Sequence, residues 1–340
     1  MSLLPLSRVP PFEPLPLARR AVRSRAVRDG LIIAGWLACA IVPLMVVPIN
    51  QSFAYDAYAY WSLDFTDIYG RTYANNFALG SFRYTPPIAL LFGPFGALPW
   101  WLFVWLYLAL MIACLLFIGG RWTLVLLALP PVALELYHGN VHLLMAVAVA
   151  IGFRHPWAWS FVALAKLTPA VGLLWFAVRR EWRALAIAAG ATALISLASF
   201  AYNPDYWVEF VAATASNIGQ PQHYSVPPPL PIRLPLAVLL VVWGARTDRP
   251  WTVPIAATLA LPIIWVHGLT IALAAIPFLR RGDRAALRPD WRAAARARDL
   301  VLVVAIALGL ALALAVLAAG PIQLLIEWAS ASLDPYGRRP

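Results

Sequence analysis

Charged residues are scarce in this sequence. They make up 12% of the 340 residues, while hydrophobic residues make up 62%, and a soluble domain would carry about a quarter of charged residues. A soluble domain is thereby excluded. Apolar runs of about seventeen residues or more recur along the chain, and they do not resemble the short alternating strands of an outer-membrane barrel. The composition therefore predicts an all-α polytopic membrane protein.

The sequence has few cysteines, and it lacks the common nucleotide-binding and hydrolase motifs. Cys39 and Cys114 both lie inside apolar runs, which argues against a disulfide framework or a cysteine metal site. The sequence contains no glycine-rich dinucleotide motif, no phosphate-binding loop, no HExxH and no GxSxG. We therefore expect no cofactor and assign no metal ligands, and the sequence shows no site for soluble nucleotide chemistry.

The formal net charge of +11 indicates membrane topology. The basic residues form short clusters between apolar runs and do not interleave with aromatic residues, so we expect no nucleic-acid partner. If the apolar runs cross the membrane alternately from a cytoplasmic N-terminus, 18 of the 25 arginines lie on the cytoplasmic side. This distribution follows the positive-inside rule and predicts a multi-pass protein of the inner (plasma) membrane.

The apolar runs predict one transmembrane domain over 31–319, a bundle of about 10–12 transmembrane or re-entrant helices. Eleven candidate segments lie at 31–49, 84–98, 100–118, 122–137, 140–153, 156–178, 184–201, 230–245, 251–266, 268–279 and 299–319. The remaining regions are a basic, proline-rich cytoplasmic arm at 1–30, outer loops at 50–83 and 202–229, a cytoplasmic arginine-rich loop at 280–298 and an extracytoplasmic tail at 320–340.

Some of these segments are short for a bilayer. The pair 122–137 and 140–153 has legs of about 15 residues, each roughly 22 Å long against a hydrocarbon core of ~30 Å. Whether this pair and segment 84–98 cross fully or re-enter stays open. In a hairpin that enters from the outer side, the polar residues at its turn would lie at membrane depth, where irregular backbone must line a protein or water cavity; simple alternation places them at the cytoplasmic edge. These residues are Glu135, His138, Asn140 and His142.

The chain contains a single lysine, Lys166, in FVALAKLTPAVGLLWF. It lies near the middle of a predicted span, where a charged side chain is costly and is usually tied to function. We favour a ligand for phosphate or carboxylate, and the alternative is a structural salt bridge with Glu135. Pro169 is expected to loosen the helix backbone beside it.

Three acids follow the first predicted span, in FAYDAYAYWSLDFTDIYG. Asp56, next to Tyr55, is expected at the outer mouth of that span and is our candidate general base. A carboxylate there, opposite buried cations, could activate an acceptor hydroxyl while positive charge neutralises a departing phosphate. Asp64 and Asp67 form a DxxD pair that we interpret as structural, because a hard cation needs several converging oxygens.

Two further elements lie on the same predicted side of the membrane. Arg83 and Tyr84 close the first outer loop in SFRYTPPIALLFGPF, where Arg83 is either a headgroup anchor or a phosphate ligand. His267, in LPIIWVHGLTIAL, is either an interfacial polar residue or a functional one. Its position on the side of the first loop favours function.

Together these elements resemble glycosyltransferase family 87 of the GT-C superfamily. The likeness covers roughly residues 30–280 and rests on the order and spacing of its elements. They are FAYDAYAYW, FRYTPP, HGNVHLLMA, KLTP and IIWVHGLTIAL. Asn140 and His142 stand where the family commonly shows Gln and Asn.

The resemblance implies an inverting enzyme that moves mannose or another hexose from a polyprenyl-phosphate-linked donor to a lipid or glycan acceptor on the outer face. It implies Asp56 as the general base, with Lys166, His267 and Arg83 on the donor phosphate. Further candidates for substrate contacts are Tyr55, Tyr84, Glu135, Asn140 and His142. Membrane lipids are expected neighbours, and the sequence leaves the acceptor, metal dependence and oligomeric state open.

A membrane transporter or lipid flippase is the alternative function. It would need ionisable residues that face one another at mid-membrane along a path open to both sides, whereas the acids here cluster at the predicted outer rim. A non-catalytic scaffold is a third interpretation, and it would not need a lysine inside a span.

Overall fold

The computed structural model describes residues 53–74, 78–216 and 228–281, together with Gly30 and Ile33. Several predicted segments lie wholly or almost wholly outside the described residues. They are the arm 1–30, the span 31–49, the loop 280–298, the span 299–319 and the tail 320–340.

Within the described ranges every regular element is a helix and no residue lies in a β-strand, which confirms the predicted all-α fold class. The α-helices are α1 Tyr55–Trp61, α2 Gly70–Ala74, α3 Pro86–Phe92, α4 Trp100–Gly119, α5 Thr123–Leu127, α6 Pro130–His138, α7 His142–Gly152, α8 Trp159–Ala165, α9 Leu174–Val178, α10 Trp182–Tyr202, α11 Asp205–Ser216, α12 Leu230–Arg246, α13 Thr252–Leu259 and α14 Ile276–Arg281. The 3₁₀ helices are Gly93–Ala97, Gly120–Trp122, Pro156–Ala158, Thr168–Leu173 and Val266–Ala275.

Two of the described helices, α4 and α10, are long and apolar enough to cross a bilayer. Helices α6 and α7 pass the same test as a pair but are bent by 113° at the break between them, so they form a broken span or a re-entrant hairpin. Helix α10 leaves leucines such as Leu194 and Leu197 exposed, and an apolar outer face of this kind suits a lipid environment. The chain is a helical membrane protein in which broken helices accompany continuous ones.

The predicted span 156–178 is one of those that break. Helix α8 ends at Ala165, and Lys166 follows in an extended conformation with φ −150° and ψ 115°. The next helical turn, Thr168–Leu173, begins with Pro169 near its first position, where a missing N–H costs nothing. The break lies where Pro169 was expected to loosen the backbone.

The bent pair packs at the centre of the described bundle. Both α6 and α7 contact the 3₁₀ helix Val266–Ala275, and α7 also packs against α4 and α8. The turn between them needs Gly139, whose φ is +68°, a left-handed conformation that costs glycine little. A Cβ at this position would lie 2.7 Å from the Cβ of Ala57 in α1. The backbone N–H of Ala54 donates to the carbonyl of Tyr137 at 2.8 Å, so α1 is fixed directly against the turn.

Candidate active site

Side chains from separate segments meet in one group beside the turn of the bent pair. We call this group the buried polar cluster, and its members are Asp56, Glu135, His142, Lys166 and His267. They come from α1, α6, α7, the end of α8 and the 3₁₀ helix Val266–Ala275. The fold therefore brings together residues that are remote in sequence.

Glu135 and His142 form the innermost part of the cluster, and both side chains are fully buried. His142 Nδ1 lies 3.0 Å from Glu135 Oε2, and the backbone N–H of Leu143 donates to Glu135 Oε1 at 3.1 Å. The carboxylate thus lies against the first turn of α7, where the helix dipole favours negative charge. The other ring nitrogen, His142 Nε2, lies 2.8 Å from Lys166 Nζ. Lys166 and Glu135 are therefore linked through an imidazole and not by the direct salt bridge considered from sequence.

His267 faces Asp56 across a short gap. His267 Nε2 and Asp56 Oδ2 are 3.8 Å apart, which is too long for a hydrogen bond. The nitrogen is buried and has no hydrogen-bond partner, whereas the Asp56 side chain is 20% exposed. The imidazole stacks on Trp265 at an interplanar angle of 10° and lies 5.3 Å from the His142 ring. A buried nitrogen without a partner calls for an explanation, and a polar ligand between it and Asp56 would supply one.

Tyr84 and Asn140 hold the turn from the other side. Tyr84 Oη donates to Asn140 Oδ1 at 3.3 Å and lies 2.9 Å from the hydroxyl of Tyr60. Asn140 Oδ1 also accepts a hydrogen bond from the backbone N–H of Val141 at 2.7 Å. The backbone carbonyl of Asn140 accepts one from Tyr107 Oη at 3.2 Å. These bonds leave Asn140 engaged with the protein, so its evident role here is to fix the turn. Tyr84 also borders the cluster, with Lys166 Nζ 6.0 Å from its ring centre.

Arg83 and Tyr55 lie at the edge of the cluster and are both half-buried. The charge of Arg83 acts on Lys166 and on Tyr55. Burial raises the pKa of the Tyr55 phenol, the positive charge of Arg83 opposes that rise, and Asp56 adds to it. Arg83 is therefore placed to add positive charge at the edge of the cluster.

Asp64 and Asp67 are exposed and do not join the cluster. Asp64 Oδ1 accepts hydrogen bonds from Thr66 Oγ1 at 2.7 Å and from the Thr66 backbone N–H at 2.9 Å, and these bonds hold the pKa of the Asp64 carboxyl below its ordinary value. This local turn accounts for Asp64 without a metal ion.

Glu135, His142 and His267 each offer a possible metal-ligand atom, and the three atoms lie within 4.8 Å of one another. None of the three was expected from the sequence to be a metal ligand. Both ring nitrogens of His142 already have partners, in Glu135 and Lys166. A metal ion on this residue would have to displace one of them, and Lys166 already supplies a positive charge there.

Arg233 is a residue to which the sequence analysis assigned no role. It is 1% exposed and lies inside α12. Its guanidinium donates to the carbonyls of Leu259 at 2.6 Å, Leu261 at 2.8 Å and Pro262 at 3.2 Å. These carbonyls end α13 and begin the segment that leads to His267. The signal was available in the sequence, because an arginine among apolar residues of a span is costly unless it has a structural or functional task.

The bundle and its cluster define a helical membrane protein with a buried acid, histidine and lysine site built from distant segments. The sequence of this protein matches the model of glycosyltransferase family 87 over residues 82–295, more than half of the chain. The chain belongs to this family and is a glycosyltransferase. The matched range contains Glu135, His142, Lys166 and His267, whereas Asp56 precedes it. No curated protein and no solved structure matches the chain.

Proposed function

We propose that this glycosyltransferase is an inverting, GT-C-type enzyme that moves a hexose, with mannose as the leading candidate, from a polyprenyl-phosphate-sugar donor. The acceptor is a lipid or glycan hydroxyl. The observation that carries the proposal is the buried His267 Nε2, which has no hydrogen-bond partner and lies 3.8 Å from Asp56 Oδ2. With Lys166 in the same cluster, a candidate base lies beside candidate donors for a phosphate.

Asp56 acts as the general base in this proposal. The acceptor oxygen attacks the anomeric carbon, a new carbon–oxygen bond forms, and the hydroxyl proton passes to the Asp56 carboxylate. The bond between the anomeric carbon and the phosphate oxygen breaks, and its electron pair leaves with the polyprenyl phosphate. Lys166, His267 and Arg83 stabilise the negative charge on that phosphate. A phosphate leaving group needs neutralisation of charge and not the second carboxylic acid of a glycosidase, so a single base suffices.

The active site in this proposal faces the outer side of the inner membrane, and the N-terminus is cytoplasmic. The support is the arginine distribution of the sequence together with a lipid-linked donor, which needs a site open to the bilayer. Glu135, His142, Tyr55, Tyr84 and Asn140 surround the donor site as supporting residues. Membrane lipids are the remaining partners, and nucleic acid is not expected.

Asp56→Asn tests the general base. We expect sugar transfer to fall by about 10²–10⁴-fold, the range for loss of a general base, while binding of the donor is retained. Asp64→Asn is the matched control, since Asp64 is an exposed carboxylate of the same loop that already bonds Thr66, and transfer should change less than about twofold in a surface variant of this kind. Transfer rates and donor binding would be measured on the full chain in lipid nanodiscs. Turnover at the normal rate by Asp56→Asn would reject this residue as the base.

The donor class is tested by supplying one sugar in two forms. We expect transfer from a polyprenyl-phosphate-linked hexose and none from the corresponding nucleotide-linked hexose, because the described residues contain no nucleotide-binding motif. A series of polyprenyl-phosphate-linked hexoses then identifies the sugar, and NMR of the product reads the anomeric configuration. Transfer from the nucleotide sugar alone, or retention of configuration, would contradict the proposal.

A further inference from the structure

We propose that Glu135 and His142 are positioning residues that hold the Lys166 ammonium toward the donor phosphate through a hydrogen-bond relay. This inference rests on the proposed function, because it takes Lys166 as a phosphate ligand. The relay runs from the Glu135 carboxylate to His142 Nδ1 at 3.0 Å, and from His142 Nε2 to Lys166 Nζ at 2.8 Å. Glu135 and His142 do not need to touch the substrate to act in this way.

The direction of each hydrogen bond follows from the chemistry of the end groups. An ammonium group has donors and no acceptor, so His142 Nε2 must accept from Lys166. The imidazole is then neutral, with its hydrogen on Nδ1, and this N–H donates to Glu135 Oε2. The second carboxylate oxygen accepts from the backbone N–H of Leu143. Both ring nitrogens of His142 and both carboxylate oxygens of Glu135 have a partner in this one arrangement.

Burial makes the relay strong. Both Glu135 and His142 have fully buried side chains, and a buried carboxylate needs a compensating positive charge. The imidazole supplies the link, because successive hydrogen bonds in a low-dielectric interior polarise one another. The relay uses one of the three N–H groups of Lys166, which leaves two that can donate to a phosphate.

The backbone fixes the other end of the lysine. Lys166 is the extended residue that ends α8, so its side chain leaves the helix at a defined point while the relay holds its tip. The opposite charges of Asp56 from α1 and Arg83 from the segment before α3 also act on this lysine, and the His267 imidazole interacts with it electrostatically. The contributions of Asp56 and Arg83 oppose each other, whereas Glu135 acts along a continuous path of hydrogen bonds.

Binding of an isoprenyl monophosphate without a sugar tests the relay, with the full chain in lipid nanodiscs. We expect Glu135→Gln to weaken binding about tenfold, which corresponds to loss of one hydrogen bond to a charged group. His142→Gln keeps an acceptor toward Lys166, and His142→Asn keeps a donor toward Glu135. Both should weaken binding by a similar factor, because the relay needs both ring nitrogens. Binding by His142→Gln at the wild-type level would overturn the relay, since a local contact with Lys166 would then suffice.

A second test asks whether the effect of Glu135→Gln on binding depends on Lys166. A merely structural role of Glu135 would not produce this dependence. In a Lys166→Gln background, Glu135→Gln should cause no further loss of binding. The double variant leaves no buried charge unpaired, so it keeps the test valid if a single variant folds poorly, and thermal unfolding would monitor all variants. Glu135→Gln should add its full effect in an Arg83→Gln background. Additive losses with Lys166, or equal coupling with Arg83, would reject the relay.

The same binding data separate this inference from the proposed function. If Lys166→Gln binds the isoprenyl monophosphate as tightly as wild type, the phosphate role of Lys166 is wrong. If Lys166→Gln loses binding while Glu135→Gln and both His142 variants keep it, the phosphate role stands and the relay is rejected.

Discussion

Two groups of charged residues in this molecule invite comparison. One is the buried polar cluster, in which Glu135 and His142 are fully enclosed. The other joins Arg179 to Glu181 at 2.8 Å and to Asp248, and we call it the peripheral ion-pair cluster. The side chains of this second group are between 28% and 44% exposed.

The difference in burial changes what each group can do. Exposed ion pairs gain about 0–1 kcal/mol because water and salt screen them. Arg179 also donates to the carbonyl of Ala245 at 3.0 Å, so the peripheral cluster joins the end of α9 to the end of α12. In the buried polar cluster, each charge depends on its neighbours for compensation. Burial of charged groups costs stability, and ionisable groups inside membrane spans are usually tied to function, which is why we assign function to the buried group and anchoring to the exposed one.

The same substitution at one cation of each group gives the largest expected contrast. Lys166→Met leaves the Glu135 carboxylate buried without its cation, and we expect a loss of about 3–5 kcal/mol of stability. Arg179→Met should cost less than about 1 kcal/mol. Thermal unfolding in matched detergent or nanodiscs measures both variants. Equal losses would remove the distinction between the two groups.

Arg233→Met tests whether burial by itself marks the active site. The substitution leaves the carbonyls of Leu259, Leu261 and Pro262 without a buried donor, and we expect a loss of about 3 kcal/mol, with each unsatisfied carbonyl costing about 1 kcal/mol or more. Because Arg233 holds the segment before His267, sugar transfer should fall as well. The fall is about tenfold if the displaced segment raises the activation free energy of transfer by about 1.4 kcal/mol. Arg246→Met, at the exposed end of the same helix, is the control and should leave stability and transfer near wild type.

An Arg233→Met variant that loses stability but transfers sugar at the wild-type rate would show that this arginine serves the fold alone. Buried charge would then identify the active site only where acid, imidazole and amine occur together, as they do around His142.

The sequence predicted much of this architecture because membrane chains are constrained by few simple rules. Long apolar runs must be helices, so the all-α class followed from composition. Helix α3 begins with Pro86 and Pro87, and prolines in the first turn are a sequence signal for the start of a helix. The break beside Lys166 agrees with the effect expected of Pro169. Rarity alone made Lys166 stand out, since an ionisable residue in a span is costly.

Other features could not be read from the chain. From the sequence, segments 122–137 and 140–153 could either cross the membrane fully or form a re-entrant hairpin. The bend of 113° between α6 and α7 could not be predicted, because apolar periodicity does not record where a helix turns back. The partners of His142 come from α6 and from the end of α8, and no spacing rule encodes a contact between distant segments. Arg233 could have been singled out as a rare charge within a span, but its partners could not, because backbone carbonyls carry no signature in sequence.

Gly139→Ala tests whether the turn beside the buried polar cluster fixes Asp56, and its expected effect is smaller than that of Lys166→Met. Alanine at φ +68° is strained, and its Cβ would lie 2.7 Å from the Cβ of Ala57, one residue from Asp56. We expect a loss of about 1–3 kcal/mol and slower sugar transfer as α1 shifts away from His267. Gly190→Ala, in α10 with nothing near its Cβ, should be neutral or stabilise the helix by about 0.5–1 kcal/mol. Unfolding midpoints and transfer rates of the two variants make the comparison, and similar outcomes would mean that the turn does not fix Asp56.

Asp248→Asn should have the smallest effect. Asp248 has φ +54°, and asparagine tolerates this left-handed conformation as well as aspartate does, so the change removes the charge facing Arg179 and little else. We expect a loss below about 1 kcal/mol at low salt that shrinks further as salt screens the pair, with sugar transfer unchanged. Unfolding midpoints at two ionic strengths measure it. A large, salt-independent loss would mean that this pair is shielded from water like Glu135 and His142, and exposure would then no longer separate the anchoring charges of this molecule from the functional ones.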